Sequence, residues 1–201
     1  VQPVIGVDFA TGVRPLMRQD PDIIMVGEVR DHDTAEMAVQ AALTGHLVLS
    51  TLHTNDAPTA ITRLLDLGVP PFLLASTLLG VMAQRLVRTL CPHCKKPTDP
   101  PDDDTWRALT MPWRADKPEK VMAPAGCLEC RMTGYYGRIG LYEIMLMTPA
   151  LRKLVTRDAD DRALREQAYK DGMKPLRVSG AMKVAAGLTT AEEVLKVAPP
   201  A

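Results

Sequence analysis

Four cysteines in two pairs, "CPHC" (Cys91, Cys94) and "CLEC" (Cys127, Cys130), are the residues whose types and spacing specify chemistry most directly, and no cysteine is left over. Two thiolates separated by two residues can hold one edge of a tetrahedral Zn2+, and a second such pair closes it. The intervening residues 95–126 exceed the usual ribbon spacing but can bridge out and back. Disulfides are the alternative. The start of the chain carries neither the positive n-region nor the cleavage site of a secretory signal, so zinc is the expected occupant. With every position filled by cysteine the site leaves none for substrate, and its expected role is structural. A thiol redox pair would need a C-x-x-C opening a helix after a strand, whereas "CPHC" follows a helical pattern and comes with a second pair.

A second group of candidates is carried by "DIIMVGEVRD" and "TGHLVLSTLHTND". In an open α/β sheet, ligands bind beyond the carboxyl ends of the strands. Glu28 and His53 each follow an apolar strand pattern, so a parallel sheet would bring both to the same edge. A carboxylate delivered by a buried strand can serve Mg2+ or an attacking water; a solvated loop residue or a helix cap is the plain alternative. His46 stands at the start of its strand, roughly 20 Å from His53 at about 3.3 Å per extended residue. The two histidines therefore do not share a ligand, and neither has a zinc spacing. Arg14, Arg18 and Arg30 are surface charges or partners for Asp20, Asp22 and Asp31 on this evidence alone.

The elements that must position these groups follow from periodicity. Asp22–Gly27 is a short apolar run bounded by Pro21 and Gly27, which suits a buried strand. "RDHDTAEMAVQAALTG" predicts a helix with Asp31 or Asp33 at its cap and Gly45 past its end. "HLVLSTL" predicts a strand whose Val48 and flanking leucines bury both faces. Strand, helix, strand is a βαβ unit, which makes a parallel sheet. A helix over "APTAITRLLDLG" follows, then a longer amphipathic helix from about Phe72 to Thr89. The proline-rich stretch 95–124, with its acidic run Asp102–Asp104, predicts a loop-like insertion outside the core. Beyond Tyr142, four short helical patterns return, the last opening on a capping box of Thr190 and Glu193.

The totals narrow the partners. Lys plus Arg equals Asp plus Glu at 24 each, which argues against a surface built to grip nucleic acid or an anionic membrane. Aromatic residues make up 4%, too few for a base-stacking platform. A non-catalytic zinc-ribbon module is a rival reading, but Lys95, Lys96 and Arg131 around the cysteines are offset by Asp99, Asp102, Asp103, Asp104 and Glu129. No run of about 18 apolar residues predicts a membrane span. The opening "VQPVIGVDF" already reads as a strand, and we expect a fragment of a longer protein.

Several long motifs in order carry a resemblance to a known family. "RQDPDIIMVGEVRD" resembles a Walker B segment, "TGHLVLSTLHTNDA" a histidine box, and "AQRLVRTLCPHC" with "CLECRMTGYYGRIGLYEI" a tetracysteine module. Together with "GMKPLRVSGAMKVAAGLTTAEEVLKV" they are similar to the secretion ATPases of type II secretion and type IV pilus assembly, over essentially all of the chain. The resemblance implies an α/β fold, the C-terminal part of a RecA-like P-loop NTPase core. An inserted tetracysteine zinc module and a C-terminal helical subdomain complete it. The expected divisions are 1–90 for the core, 91–140 for the zinc module and 141–201 for the helical part. Glu28 would be the Walker B glutamate, and His53 would approach the γ-phosphate of ATP. Arg14, Arg18, Arg30 and Arg138 match arginines that contact phosphates or pair across subunits, and His46 belongs to the same box as His53.

The resemblance further implies a homo-hexamer, cytoplasmic and peripheral at the inner membrane, held to inner-membrane secretion proteins through N-terminal domains outside this sequence. The tetracysteine module argues against the pilus-retraction branch, and "STLLGVMAQRLVRTLCPHC" reads closer to type II secretion than to pilus assembly. The sequence departs from a whole ATPase: no G-x-x-x-x-G-K-[ST] occurs among its 201 residues, and the resemblance implies that the family's acidic box and N-terminal domains would lie before Val1. We therefore expect residues 1–201 alone neither to bind ATP tightly nor to hydrolyse it.

Overall fold

The structure, a computed structural model, describes residues 19–200. These divide into two units: the described residues up to Val81 with Met145–Met173, and Met82–Ile144 with the residues from Lys174 onward. Among the described residues no helix is long and apolar enough to cross a membrane.

In the first unit, strand β1 (Ile23–Val26), helix α1 (His32–Leu43) and strand β2 (Leu47–Ser50) form the expected βαβ unit. The strands pair in parallel, with Ile23 opposite Leu47 and Val26 opposite Ser50. Asp31 caps α1 by accepting a hydrogen bond from the Thr34 N–H, so the orphan amide at the helix start is satisfied as its sequence requires. Ile24, Val26 and Ala41 form a small buried cluster with Met37 and Val48 against it. Burial on both faces of the sheet is not what the described residues provide. Ile23, Met25, Leu47 and Leu49 stay between 42% and 74% exposed, because α1 covers one side only. An unbroken apolar run says that a strand can be buried twice, not which elements do it.

Helices α2 (Thr59–Asp66), α3 (Pro71–Thr77), α5 (Pro149–Leu154) and α6 (Asp161–Lys170) complete this unit. Asp56 fixes the entry to α2 by accepting from the Thr59 N–H and also binds Arg165 at 2.6 Å. Thr62 donates to Asp161 at 2.8 Å, and the Arg152 guanidinium donates to the carbonyls of Ala75 and Leu78.

Two expectations are corrected. The helix expected from Phe72 to Thr89 ends at Thr77, and Gly80–Leu90 is a strand, β3, paired with β6 (Tyr135–Leu146). Burial along β3 alternates: Val81, Ala83, Arg85 and Val87 are more buried than Met82, Gln84 and Leu86. "GVMAQRLV" carries apolar residues on both sides of Gln84 and Arg85, which hides a period of two inside a helix-like run. A Cβ at Gly80 would lie 2.9 Å from the Met145 carbonyl, so the two backbones approach there only because glycine has none.

The proline-rich stretch is likewise part of a core rather than a loop outside it. It holds β4 (Lys96–Thr98), α4 (Asp103–Thr110) and β5 (Val121–Ala123), with β4 and β5 antiparallel. The acidic run is the start of α4: Asp102 accepts from the Thr105 N–H, and Asp103 and Asp104 sit at the positive end of the helix. Trp106 and Leu109 of α4 and Val121 of β5 are buried with Val87, Leu141, Leu176, Val184 and Val194. The last three belong to α7 (Leu176–Ala185) and α8 (Ala191–Val197). Thr190 caps α8 as expected, but the Glu193 carboxylate turns to Arg88 rather than back to the cap.

Candidate functional site

Two constellations predicted from the sequence are assembled by the fold, one in each unit. At the carboxyl edge of the parallel pair, the segments beyond the strands stay side by side. The Val29 N–H donates to the Thr51 carbonyl at 2.9 Å, and the Thr51 hydroxyl donates to the Gly27 carbonyl at 2.6 Å. The sequence signal for this clamp is a threonine directly after a strand, Thr51, whose hydroxyl can reach the neighbouring backbone. These bonds set Glu28 next to His53: Oε1 of Glu28 lies 2.9 Å from Nε2 of His53, and Oε2 lies 2.5 Å from an Arg30 nitrogen.

The Glu28 side chain is 15% exposed, while those of Arg30 and His53 are 72% and 89% exposed. The hydrogen bond from Arg30 holds the Glu28 carboxyl below the usual carboxylate range; partial burial opposes this, and the charges of Arg30 and His53 add to it. Glu28 is thus an ionised acceptor, held between two donors that face solvent.

His46 stands at the other end of β2. Its Nδ1 lies 3.0 Å from the Ala41 carbonyl and 2.9 Å from the Thr44 hydroxyl, local bonds that fasten the turn from α1 into the strand. Arg138 lies on β6 in the second unit and is exposed. Arg14 and Arg18 lie outside the described residues.

The cysteines come together from the end of β3 and from the loop between β5 and β6. All four sulfurs lie within 4.8 Å of one another. Cys91 and Cys127 are 3.9 Å apart, Cys94 and Cys130 3.8 Å, and Cys127 and Cys130 3.7 Å. These separations are too long for disulfide bonds, which need about 2.05 Å. They match the edge of a tetrahedron with metal–sulfur bonds of about 2.3 Å, an edge of about 3.8 Å. Backbone N–H groups point at the sulfurs: Gly126 to Cys94, and both Cys127 and Gly134 to Cys130, each at 3.2 Å. Burial raises the Cys130 thiol, but these N–H donors and the neighbouring thiols of Cys127 and Cys94 outweigh it and bring it down to about 6. The donor set, the spacing and the N–H groups fit a soft divalent ion such as Zn2+.

The model of the type II/IV secretion system protein family matches residues 1–196. The chain belongs to that family.

Among curated members, the type IV pilus assembly ATPase TfpB of Acinetobacter baylyi is 59% identical over 199 residues, covering 99% of this chain and 34% of that protein. The type II secretion system ATPase E of Vibrio cholerae is 47% identical over 197 residues, covering 98% of this chain and 38% of that protein. The chain therefore spans about a third of the length of these secretion-family relatives. Among solved structures, the pilus retraction motor PilT with bound ADP is 27% identical with a TM-score of 0.63, covering 96% of this chain and 44% of that one. The ATPase DotB of Legionella pneumophila, at 22% identity and a TM-score of 0.62, shares the fold. The α/β, RecA-like fold expected from the sequence is thus the fold of secretion-family ATPases.

Proposed function

We propose that this chain is part of an ATP-hydrolysing motor in which Glu28 serves Mg2+ and the attacking water and His53 contacts the γ-phosphate. The observation that carries the reading is the pairing of Glu28 with His53 at 2.9 Å on the carboxyl edge of two parallel strands, where α/β folds bind their ligands. When bound, Mg2+ would neutralise charge developing on the transferred phosphoryl group. Glu28, kept ionised by Arg30, can accept a proton or a hydrogen bond from a water aligned beyond the strand ends. The exposed imidazole of His53 can turn from Glu28 to a phosphate oxygen without uncovering any core. Arg14, Arg18, Arg30 and Arg138 remain candidates for phosphate or subunit contacts through bidentate guanidinium bonds.

The same reading covers the assembly. The intact protein would be a cytoplasmic homo-hexamer at the inner membrane, bound to secretion-system partners through regions outside this sequence. Residues 91–140 would carry a structural zinc site on Cys91, Cys94, Cys127 and Cys130, flanked by the ATPase part at 1–90 and a helical part at 141–201. Two export systems compete. The motif around the first cysteine pair favours type II secretion, whereas 59% identity to a pilus assembly ATPase favours pilus assembly. Restoring secretion in a type II mutant, or pili in a pilus-assembly mutant, separates the two.

The catalytic test uses the full-length parent. Glu28→Gln is expected to lower Mg2+-dependent turnover by 100-fold or more, on the order seen for a removed general base, and His53→Ala to lower it as well. Normal turnover in His53→Ala would remove the phosphate contact from the proposal. Residues 1–201 alone are expected to be inactive, because no G-x-x-x-x-G-K-[ST] is present to cradle the phosphates. Turnover by 1–201 that Glu28→Ala abolishes would overturn that expectation.

A further inference from the structure

Gly134 follows the second cysteine pair by four residues, and its two backbone groups serve one pair each. Its N–H donates to the sulfur of Cys130 at 3.2 Å, and its carbonyl accepts from the Cys91 N–H at 2.9 Å. The other N–H donors at the cluster, Gly126 to Cys94 and Cys127 to Cys130, each reach a single sulfur. Gly126, adjacent to Cys127, also crosses between the halves by its bond to Cys94; Gly134 crosses them with both its N–H and its carbonyl.

Only glycine fits there. Its φ is +76°, and an added Cβ would stand 2.4 Å from the Pro124 Cβ, 3.0 Å from the Pro124 Cα and 3.2 Å from the Ala125 nitrogen. The nearest atom belongs to a stiff ring and the next two to backbone, so Gly134 itself would have to move. Any such shift drags both of its hydrogen bonds. Gly137 offers a natural control: its φ is also +76°, but a Cβ there meets nothing within 4 Å.

We propose that Gly134 is a positioning residue for the four-sulfur centre: through its own N–H and C=O it sets the separation of the Cys91 half from the Cys130 half, and with it the geometry offered to the metal. This rests on the zinc reading above. Groups that orient metal ligands typically account for about 10–100-fold in metal affinity.

The test titrates the reduced, metal-free chain 1–201 with Co2+, following the d–d absorption, and then measures Zn2+ affinity by chelator competition. The wild type is expected to bind one Co2+ with a four-thiolate spectrum, and Gly137→Ala to match it. Gly134→Ala is expected to shift the d–d bands and to bind Zn2+ about 10–100-fold more weakly. If Gly134→Ala matched Gly137→Ala in both readouts, the proposal would be overturned while the zinc site stood. If the wild type bound no Co2+, the zinc reading would fall and take this inference with it. Should Gly134→Ala not fold, the 113Cd-loaded wild type decides. Scalar coupling from the metal to the Gly134 amide proton, alongside that of Cys127, supports the proposal; coupling at Cys127 alone overturns it.

Discussion

The two candidate sites differ in how much of each this chain encloses. The cysteine centre supplies all its own ligands: Cys91 and Cys130 are 0% and 4% exposed and Cys94 and Cys127 half-buried, the sulfurs already stand at tetrahedral distances, and backbone N–H groups face them. The Glu28 site is aimed but open. Its acid is held by strand ends, yet His53 and Arg30 face solvent, and the sequence contains no phosphate-cradling loop to complete it. A site whose ligands come from one chain's own turns can be tested on that chain. A site made at a sheet edge needs whatever faces the edge.

The largest expected effect breaks the cysteine centre. Removing zinc with a strong chelator, or replacing Cys91 with serine, is expected to cost more than about 4 kcal/mol in the second unit, the range in which loss of a structural metal falls. Trp106 and Trp113, the only tryptophans, both belong to that unit, so fluorescence during a urea melt reports on it directly. An unchanged melt after chelation would show that the cluster holds itself without metal, and the contrast between the two sites would shrink.

A second prediction asks how far the ordered region around it extends. Leu109 is fully buried in the core that α4 shares with β3, β6, α7 and α8. Leu109→Ala should cost about 2–5 kcal/mol. A cost near zero would return residues 95–124 to the loop that their prolines suggest.

That segment shows where sequence reading fails. Prolines and an acidic run signal a loop locally, but Asp102 and Asp103 are equally good residues for a helix start, and the tertiary contacts of Trp106 and Leu109 decide between the two. The βαβ unit was legible because its caps, its length and its alternation of element types agree. So was the cysteine centre, whose spacing is itself the geometry. Strand β3 was hidden by a pattern of apolar residues around Gln84 and Arg85 without a readable period of two, and Glu193 by a capping box that its carboxylate does not complete. The Thr51 and Gly134 contacts are made by backbone groups or a single hydroxyl, which no pattern of side chains announces.

Glu193 supplies the third prediction. Its side chain is 7% exposed and lies 2.6 Å from Arg88, whose guanidinium also stacks on Tyr135. The bond from Arg88 pulls the Glu193 carboxyl below its usual range, burial opposing. Because the folded value is the lower one, the stabilisation is complete above the unfolded value of about 4.3 and is lost as pH falls through the folded value. Arg88 is half exposed, so we expect Glu193→Gln to cost only about 1–3 kcal/mol at neutral pH and to flatten the acid limb of the stability profile of the second unit. An unchanged acid limb would mean that other carboxylates govern it.

The smallest effect belongs to the open site, and its smallness is the argument. In residues 1–201, Glu28→Gln removes an ion pair whose partners are exposed, so the thermal midpoint of the first unit should stay where the wild type has it, by circular dichroism. The Thr51 and Val29 hydrogen bonds that hold the strand ends together do not involve the carboxylate and should persist. In the full-length parent the same substitution is expected to remove nearly all turnover. An acid that costs the fold nothing and the reaction everything is placed there for a ligand. If Glu28→Gln instead lowered the melting of the isolated chain, the carboxylate would be holding Arg30 and His53 for the fold's sake, and the catalytic reading of the strand ends would lose its main support.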